Sequence, residues 1–290
     1  MIEAYLIHLA ILIAIYIVLA VSLDLALGYT GLLNLGHVAF FGIGAYTSAL
    51  LTKSGVPFPI AFIAAGLLAS VFGALLVWAT RKLKGDYLAL ATMGFSFVVY
   101  SVLLNWTSLT RGPLGIPGIT KPSIFGMAIS ANWQYLIFAG IVAVIVVLFS
   151  RRLVSSPFGR LMQAVRDDEL GLKVLGKDTF KIKAKAMMIS AAMAGIAGSL
   201  FAHYITYIDP SSFYLNDIIL LLTIIIVGGI ASVKGAVMGT IVILLIPEAL
   251  RFVALPGSIL GPVRQMIYSL VLILILLYRP RGLFGKVDLS

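Results

Sequence analysis

The stretch RRLVSSPFGRLMQAVRDDELGLKVLGKDTFKIKAK, from Arg151 to Lys185, decides how the rest of the chain is interpreted. It is the one long polar run in a sequence that is 61% hydrophobic. Apolar segments long enough to cross a bilayer lie on both sides of it. We therefore predict that this stretch is a loop held at a membrane surface between two membrane-spanning segments.

The pattern within the loop predicts two short amphipathic helices. Ser155-Ser156 followed by Pro157 is typical of a helix start, since a hydroxyl caps the first turn and proline fits there. Apolar residues then recur at helical spacing and form one stripe: Phe158, Leu161, Met162 and Val165. A second helix is expected from about Glu169 to Leu175, ending at Gly176. Asp178 or Thr179 can cap the helix that follows.

Two interpretations of this loop remain open. It could be a solvated linker, or it could be a docking surface for a cytoplasmic partner. The apolar stripe favours docking, because a linker needs no such pattern. We hypothesise that the stripe and the acidic cluster Asp167, Asp168 and Glu169 contact the partner, as an apolar centre with a charged border.

Composition places nearly the whole chain in lipid. The mean hydropathy is +1.10 and only 11% of the residues are charged. The apolar runs are continuous rather than alternating, so they predict an all-α bundle and not a barrel. There is no cysteine, which excludes disulfides and thiolate metal sites. The net charge of +10 reflects basic loops and does not indicate nucleic acid.

Hydropathy predicts about eight to ten spans in a single domain, residues 1–290, with the loop at 151–183. The N-terminus has no basic region and no cleavage pattern, so it is expected to be a permanent first helix. The nine expected helices lie near residues 5–27, 33–52, 59–80, 86–105, 133–150, 184–206, 217–231, 236–253 and 263–278. Asp86 is a candidate cap for the fourth.

Basic residues predict the orientation. One side would hold sixteen of the 21 Lys and Arg residues, nine of them between Arg151 and Lys185. The other side would hold Lys53, Arg111, Lys121, Arg251 and Arg264. The positive-inside rule then places the loop and the C-terminus in the cytoplasm, and nine spans place the N-terminus outside. A re-entrant segment at 28–44 would reverse the N-terminus.

The segment Gly28–Gly44 reads GYTGLLNLGHVAFFGIG, with five glycines in seventeen residues. Asn34 and His37 are costly in hydrocarbon unless they face protein or water. The segment could be a site of close helix packing. Alternatively, it could be a broken helix that lines a translocation pathway. The candidate pathway residues are Asn34, His37, Gly42, Gly44, Asn105 and His203.

Small residues form two ridges on the helix expected at 184–206. Ala191, Gly195 and Ser199 stand four apart, as do Ala194, Gly198 and Ala202. Such ridges allow close contact between helices, within the chain or with a second subunit.

Sites for chemistry are few. Residues 171–178, GLKVLGKD, nearly match the phosphate-binding pattern G-x-x-x-x-G-K-[ST]. Asp178 replaces the hydroxyl residue of that pattern, and no β-strand is expected before it, so we do not expect a nucleotide site here. The three histidines have no ligand spacing, so no metal site is expected. We find no nucleophile or paired carboxylates, and we expect a non-enzymatic chain.

Three stretches carry a resemblance to a known family: Gly28-Tyr-Thr-Gly-Leu-Leu-Asn-Leu-Gly-His with the residues that follow, the loop from Ser156-Pro-Phe-Gly-Arg to Glu169, and Gly195-Ile-Ala-Gly-Ser-Leu. Together they resemble the permease of branched-chain amino acid ABC importers. The resemblance runs from about residue 20 to the C-terminus. It departs from the Glu-Ala-Ala-x-x-x-Gly pattern of other ABC importers, since this chain has Glu169-Leu-Gly and then Gly176.

The resemblance implies a multi-pass subunit in a bacterial or archaeal plasma membrane. It implies two cytoplasmic ATPases that bind ATP and Mg, a second permease that is a sister chain, and an extracytoplasmic binding protein. This chain itself would need no cofactor. Arg160 to Gly176 would be the coupling segment, and the full coupling set is Phe158, Gly159, Arg160, Leu161, Met162, Val165, Arg166, Asp167, Asp168, Glu169 and Gly176.

Two functional alternatives remain. Urea and short-chain amide importers share this permease type, so a different substrate is possible. A self-contained secondary transporter would work without ATPases and would need no docking loop.

Overall fold

The structure is a computed structural model that describes residues 2–124, 127–129, 131–249, 257–279 and 281–285. Its helices are α1 (Ile2–Leu27), α2 (His37–Lys53), α3 (Phe58–Ala79), α4 (Gly85–Asn105), α5 (Thr107–Thr110), α6 (Asn132–Ser155), α7 (Pro157–Asp167), α8 (Glu169–Val174), α9 (Thr179–Ile205), α10 (Leu215–Gly228), α11 (Val233–Ala249) and α12 (Gly257–Tyr278).

The prediction of an all-α membrane bundle is confirmed. Six helical stretches are long and apolar enough to cross a membrane: Glu3–Leu27, Phe58–Ala79, Gly85–Asn105, Asn132–Ser155, Thr179–Ile205 and Pro210–Gly228. Val233–Ile246 and Met266–Ile275 are shorter apolar helices, and α2 has 17 residues. Each of the nine predicted segments therefore contains a helix, although the number that span stays a prediction. The predicted helix end at 250–253, Arg251 and Lys286 lie outside the described residues.

Among the helix boundaries that differ from the sequence prediction, three have local reasons. Helix α2 begins at His37 rather than near residue 33, because Asn34 and Thr92 side chains bond the preceding backbone amides. Helix α6 continues through two exposed arginines to Ser155, since arginine is a good helix former. The prediction that Asp86 caps α4 is wrong: Lys84 is the N-cap and Asp86 lies in the first turn, where a carboxylate still suits the helix dipole.

Helix α9 packs along α1, α2 and α3 and forms the centre of the bundle. Both predicted ridges of small residues on α9 are buried. A Cβ atom on Gly198 would collide with the backbone of α2 at Phe41, and one on Gly44 would collide with the backbone of Gly195. These glycines therefore permit backbone contact between α2 and α9, as the spacing predicted.

The bundle has two polar ends. One end carries α7 and α8, together with the C-terminal end of α1 and the first turns of α4 and α9. The other end carries residues 106–124, where Lys53 Nζ donates to the Pro117 carbonyl at 2.9 Å. Two antiparallel pairs of two-residue strands lie at this second end: β1 (Ile116–Pro117) with β4 (Tyr207–Ile208), and β2 (Ser123–Ile124) with β3 (Met127–Ala128).

The N-terminal end of α1 lies at the same end of the bundle as residues 106–124, away from α7 and α8. His8 Nδ1 is 2.6 Å from the hydroxyl of Tyr204 near the end of α9. The other end of α1 is reached by Arg166 of α7, which bonds the Gly28 carbonyl. The chain therefore crosses the full length of the bundle in α1.

Candidate coupling surface and helix break

Helix α7 begins as the sequence predicts. The Ser156 hydroxyl accepts a hydrogen bond from the Gly159 amide at 3.2 Å, and Pro157 occupies the first turn. Gly159 is buried where a Cβ atom would collide with the Leu153 and Val154 carbonyls. The cap and the glycine together fold α7 back against the end of α6.

The apolar stripe of α7 packs against the helices of its own chain. Met162 is fully buried and Val165 is buried, while Phe158 and Leu161 are half-buried against the same core. In this arrangement Met162 and Val165 are not available to a partner. Their position corrects the hypothesis that these two side chains contact a partner protein. The helices of the bundle already cover this part of the stripe.

Helix α8 has the opposite character. Asp168 caps it by accepting from the Gly171 amide at 2.9 Å, and Gly176, with φ +75°, follows its end. Leu172 is buried against the core, but three large apolar residues point outward: Leu170 is 65% exposed, Val174 is 87% exposed and the adjacent Leu175 is 75% exposed. We call Leu170, Val174 and Leu175 the α8 patch. The four-residue spacing of Leu170 and Val174 was a readable signal that the sequence analysis missed.

Glu169 anchors α8 to the bundle. Its carboxylate is 2.7 Å from Lys183 Nζ and 2.9 Å from Lys173 Nζ, and it accepts a hydrogen bond from the Thr179 hydroxyl at 3.1 Å. Lys84 at the start of α4 reaches it at 4.0 Å. Burial opposes ionisation of this carboxyl, but the hydrogen bonds and charges of Lys183 and Lys173 outweigh it and lower its pKa to about 2.

The other charged side chains of and next to α7 point either to the surface or into the bundle. Asp167 and Asp168 are exposed, as is Arg160. Arg166 instead turns inward, where its Nη1 donates to the Gly28 carbonyl at 2.8 Å. The structure thus leaves Arg160, Asp167 and Asp168 at the surface, the two aspartates directly before α8, whereas Glu169 and Arg166 hold the loop to the bundle.

Residues 28–36 form a non-helical connection between α1 and α2, which we call the helix break, and its place on a pathway stays a prediction. Asn34 is central to it: its Oδ1 accepts from the Gly36 amide at 3.1 Å, and its Nδ2 lies 3.2 Å from His37 Nδ1. His37 Nε2 lies 2.7 Å from the hydroxyl of Ser22, whose own hydrogen goes to the Leu19 carbonyl. A neutral imidazole satisfies this set of partners.

The other pathway candidates do not join Asn34 and His37. His203 is buried near the opposite end, where it bonds the Ser48 hydroxyl at 2.8 Å and the Thr120 carbonyl at 2.7 Å. Asn105 is exposed and its amide donates to the Ser101 carbonyl. Gly42 packs against the ring of Phe213, and Gly44 packs against α9. These placements show close packing, and the assignment to a pathway stays a prediction.

A cavity of about 290 Å³ opens at the end of the bundle that carries α8. Its wall combines charged groups, among them Glu169 and Lys183, with apolar ones such as Leu32. It also reaches Met187, whose sulfur lies 3.5 Å from the Asn34 amide nitrogen. The cavity therefore extends from the α8 surface to the side of the helix break.

Two further expectations concern ligands. Residues 171–178 form the end of α8 and a turn, and the Asp178 carboxylate accepts from the Lys181 amide at 3.1 Å to cap α9. The carboxylate is thus used in capping. Within the described part of the chain, no three His, Cys, Asp or Glu residues are grouped so that they could hold a metal ion.

Comparison with known proteins places this arrangement in a family. The fold is that of a polytopic helical membrane protein with a structured loop at one end. Residues 5–278 match the family described as branched-chain amino acid transport system / permease component, and the chain belongs to that family.

Individual relatives are described as permeases of the same kind. The chain is 35% identical to the high-affinity branched-chain amino acid transport system permease protein LivM of Escherichia coli (strain K12), over 96% of this chain and 69% of the relative. It is 28% identical to the probable LivM permease of Methanocaldococcus jannaschii, over 94% and 91% of the two chains. It is 28% identical to the LivH permease of Escherichia coli (strain K12), over 95% and 92%. No solved structure matches the chain.

Proposed function

We propose that this chain is the membrane-spanning permease subunit of an ATP-driven importer of branched-chain or other hydrophobic amino acids. The observation that carries the proposal is the family match over residues 5–278, which coincides with the bundle of helices. The relatives named above are described as parts of a branched-chain amino acid transport system. The function is conformational, and the chain contributes the pathway while separate subunits hydrolyse ATP.

The proposed assembly contains two cytoplasmic ATPases that bind ATP and Mg, an extracytoplasmic binding protein and a second permease. The identity is 35% to a LivM and 28% to a LivH of the same organism, which supports a LivM-type role for this chain. A LivH-type sister would then be the second permease. The large apolar side chains exposed on α3, α4 and α6 are available to that sister or to lipid.

The cytoplasmic end is proposed to be the one that carries α7 and α8. The positive-inside rule supports this orientation, because Arg81, Lys82, Lys84 and the basic residues of 151–183 cluster there. In this orientation the start of α1 and residues 106–124 face outside. They lie at the end where a binding protein would deliver substrate.

The ATPase is proposed to dock on the α8 patch and the charged residues beside it. Three exposed apolar side chains on and next to a short capped helix form an apolar centre, and Asp167 and Asp168, directly before that helix, supply a charged border, with Arg160 exposed on α7. Glu169 fixes α8 to α4 and α9, so force on the patch reaches the bundle. The proposed docking surface therefore lies on α8, whereas the sequence analysis placed its apolar centre on the α7 stripe.

The pathway is proposed to pass the helix break at Asn34 and His37. Support comes from the cavity that reaches Met187 beside Asn34. Both polar side chains are buried and fully engaged in this state. They would have to exchange partners when the pathway opens.

Uptake measurements test the function. The chain would be expressed with its sister permease, ATPases and binding protein, and uptake of labelled leucine, isoleucine and valine measured in membrane vesicles. We expect ATP-dependent uptake that is lost when this chain is omitted and lowered by Asn34→Leu. Uptake of urea in preference to the amino acids would contradict the substrate class. Transport by this chain alone would contradict the ATP-driven mechanism.

A further inference from the structure

Arg166 joins the coupling loop to the helix break through a charged hydrogen bond. Its Nη1 donates to the Gly28 carbonyl at 2.8 Å, while its Nε donates to Asp167 at 2.8 Å. Only 19% of its side chain is exposed. The Gly28 carbonyl directly follows the last turn of α1, where acceptors lack helical partners and carry the negative end of the dipole. A guanidinium is well suited to that position.

The aliphatic part of Arg166 also makes a steric contact with the break. Gly31 has φ +69°, and a Cβ atom there would lie 3.0 Å from Arg166 Cγ. The turn therefore needs a glycine both for its backbone conformation and for the close approach of the arginine. One polar and one packing contact thus connect α7 with residues 28–31.

Residues 28–31 connect in turn to other helices. Asp24, one turn before Gly28, accepts from the Ala231 and Ser232 amides at 2.9 Å and 3.1 Å, next to the start of α11. The Tyr29 hydroxyl accepts from the Val233 amide at 3.3 Å. On the other side, the chain continues through the break to Asn34 and the first residue of α2.

Among the described residues of α7, Arg166 is the one whose side chain forms a hydrogen bond with this turn. The α7 stripe packs on the bundle through apolar contacts, which are compatible with sliding. A hydrogen bond to a backbone carbonyl, combined with close packing on Gly31, is directional and would move the turn with α7. Lysine could replace the single donor to Gly28 but not the guanidinium bond to Asp167 made at the same time.

We propose that Arg166 is a positioning residue that transmits movement of the ATPase-docked loop to the helix break at Asn34 and His37. The inference rests on the proposed function for the identity of the partner. It assigns Arg166 a role inside the permease, in place of a direct contact with the ATPase.

The test uses the complete transporter in proteoliposomes, with leucine import and ATP hydrolysis measured on the same samples. Arg166→Ala is compared with Arg166→Lys and with Lys82→Ala, a change of an exposed basic residue at the same end. We expect Arg166→Ala to keep its ATPase and its hydrolysis while import per ATP falls by at least about tenfold, the scale of a lost charge-assisted hydrogen bond. Arg166→Lys should recover part of the loss, and Lys82→Ala should match wild type.

A second readout does not depend on the imported substrate. The chain has no cysteine, so Leu33→Cys introduces a single thiol into the break. ATP should change the labelling rate of this thiol in the otherwise wild-type assembly and leave it unchanged with Arg166→Ala. Absence of leucine import by the wild-type assembly would count against the proposed function, while the labelling comparison still decides the role of Arg166.

Two results would overturn the inference. An Arg166→Ala transporter with unchanged import per ATP and unchanged ATP-dependent labelling would show that the contact does not couple. Loss of ATPase association by a well-folded Arg166→Ala permease would show direct docking instead. If the alanine variant does not assemble, Gly31→Ala decides, since it displaces the arginine stem: ATP-dependent labelling like that of wild type would then reject the proposal.

Discussion

Helices α7 and α8 are neighbours in one loop, and both are capped and amphipathic, yet they use their apolar residues in opposite ways. Met162 and Val165 of the α7 stripe are buried against their own chain, and Phe158 and Leu161 are half-buried. On α8 only Leu172 is buried in this way, while Leu170 and Val174 are exposed, Val174 at 87%. Amphipathic spacing shows that an apolar face will be covered, but it does not say by what. Only the position of each helix relative to the bundle distinguishes internal packing from a docking surface.

The largest expected effect comes from a charge on the buried side of α7. Met162→Asp should destabilise the fold by at least about 3 kcal/mol, because it removes core packing and buries a carboxylate without a partner. The measurement is the yield of monodisperse permease in detergent and its thermal unfolding. Normal yield and stability would show that the stripe is not core, and would restore it as a candidate docking surface.

A smaller and different effect is expected from a charge on α8. Leu170→Asp should leave folding intact but weaken binding of the ATPase, by about thirtyfold if Leu170 is an anchor worth about 2 kcal/mol. Co-purification and titration of the ATPase measure this. Leu114→Asp is the matched control, because Leu114 is also largely exposed, at 74% against 65% for Leu170, and lies at the opposite end of the bundle. Equal ATPase affinity in both variants would remove the α8 patch from the docking surface.

The smallest effect concerns the pH dependence of the Glu169 contacts that hold α8 to the bundle. The folded-state pKa of Glu169 is lowered from 4.5 to about 2. A depressed carboxyl pKa stabilises the fold above the unfolded value and loses that contribution as the pH falls through the folded value. The attachment of α8 should therefore be constant from pH 5 to 8 on this account and weaken between about pH 4.5 and 2.

Hydrogen exchange of the α8 amides across this range measures the attachment, with Glu169→Gln as the comparison. After correction for the intrinsic pH dependence of exchange, the glutamine variant should show lowered protection at neutral pH and little further loss of protection on acidification. An identical pH response in both proteins would mean that a different group holds α8.

Much of the local structure was predictable, because its causes are local. The Ser156 cap, Pro157 in the first turn and the stop at Gly176 all follow from neighbouring residues, and the structure confirms them. The small-residue ridges of α9 were predictable for a related reason. A glycine in an apolar helix has little use except to admit a neighbour, and Gly198 admits α2.

The directions of individual side chains were not predictable in the same way. Asp167, Asp168 and Glu169 are consecutive and chemically alike, so the sequence grouped them as one acidic surface. The structure separates them: Lys183 and Lys173 capture Glu169, while the two aspartates remain exposed. Lys183 is fourteen residues away, on α9, and its position depends on how α9 packs.

The sequence by itself determined the class of this protein, since continuous apolar runs around one patterned polar loop allow only a helical membrane bundle with a structured loop. It also determined the helix caps and the glycines at close contacts. Tertiary structure alone decided which apolar face is free, which charges are paired, and that Arg166 of the loop bonds the carbonyl that follows α1. The physical reason is that these properties depend on groups far apart in the chain, whose distance is set by helix packing and not by spacing along the sequence.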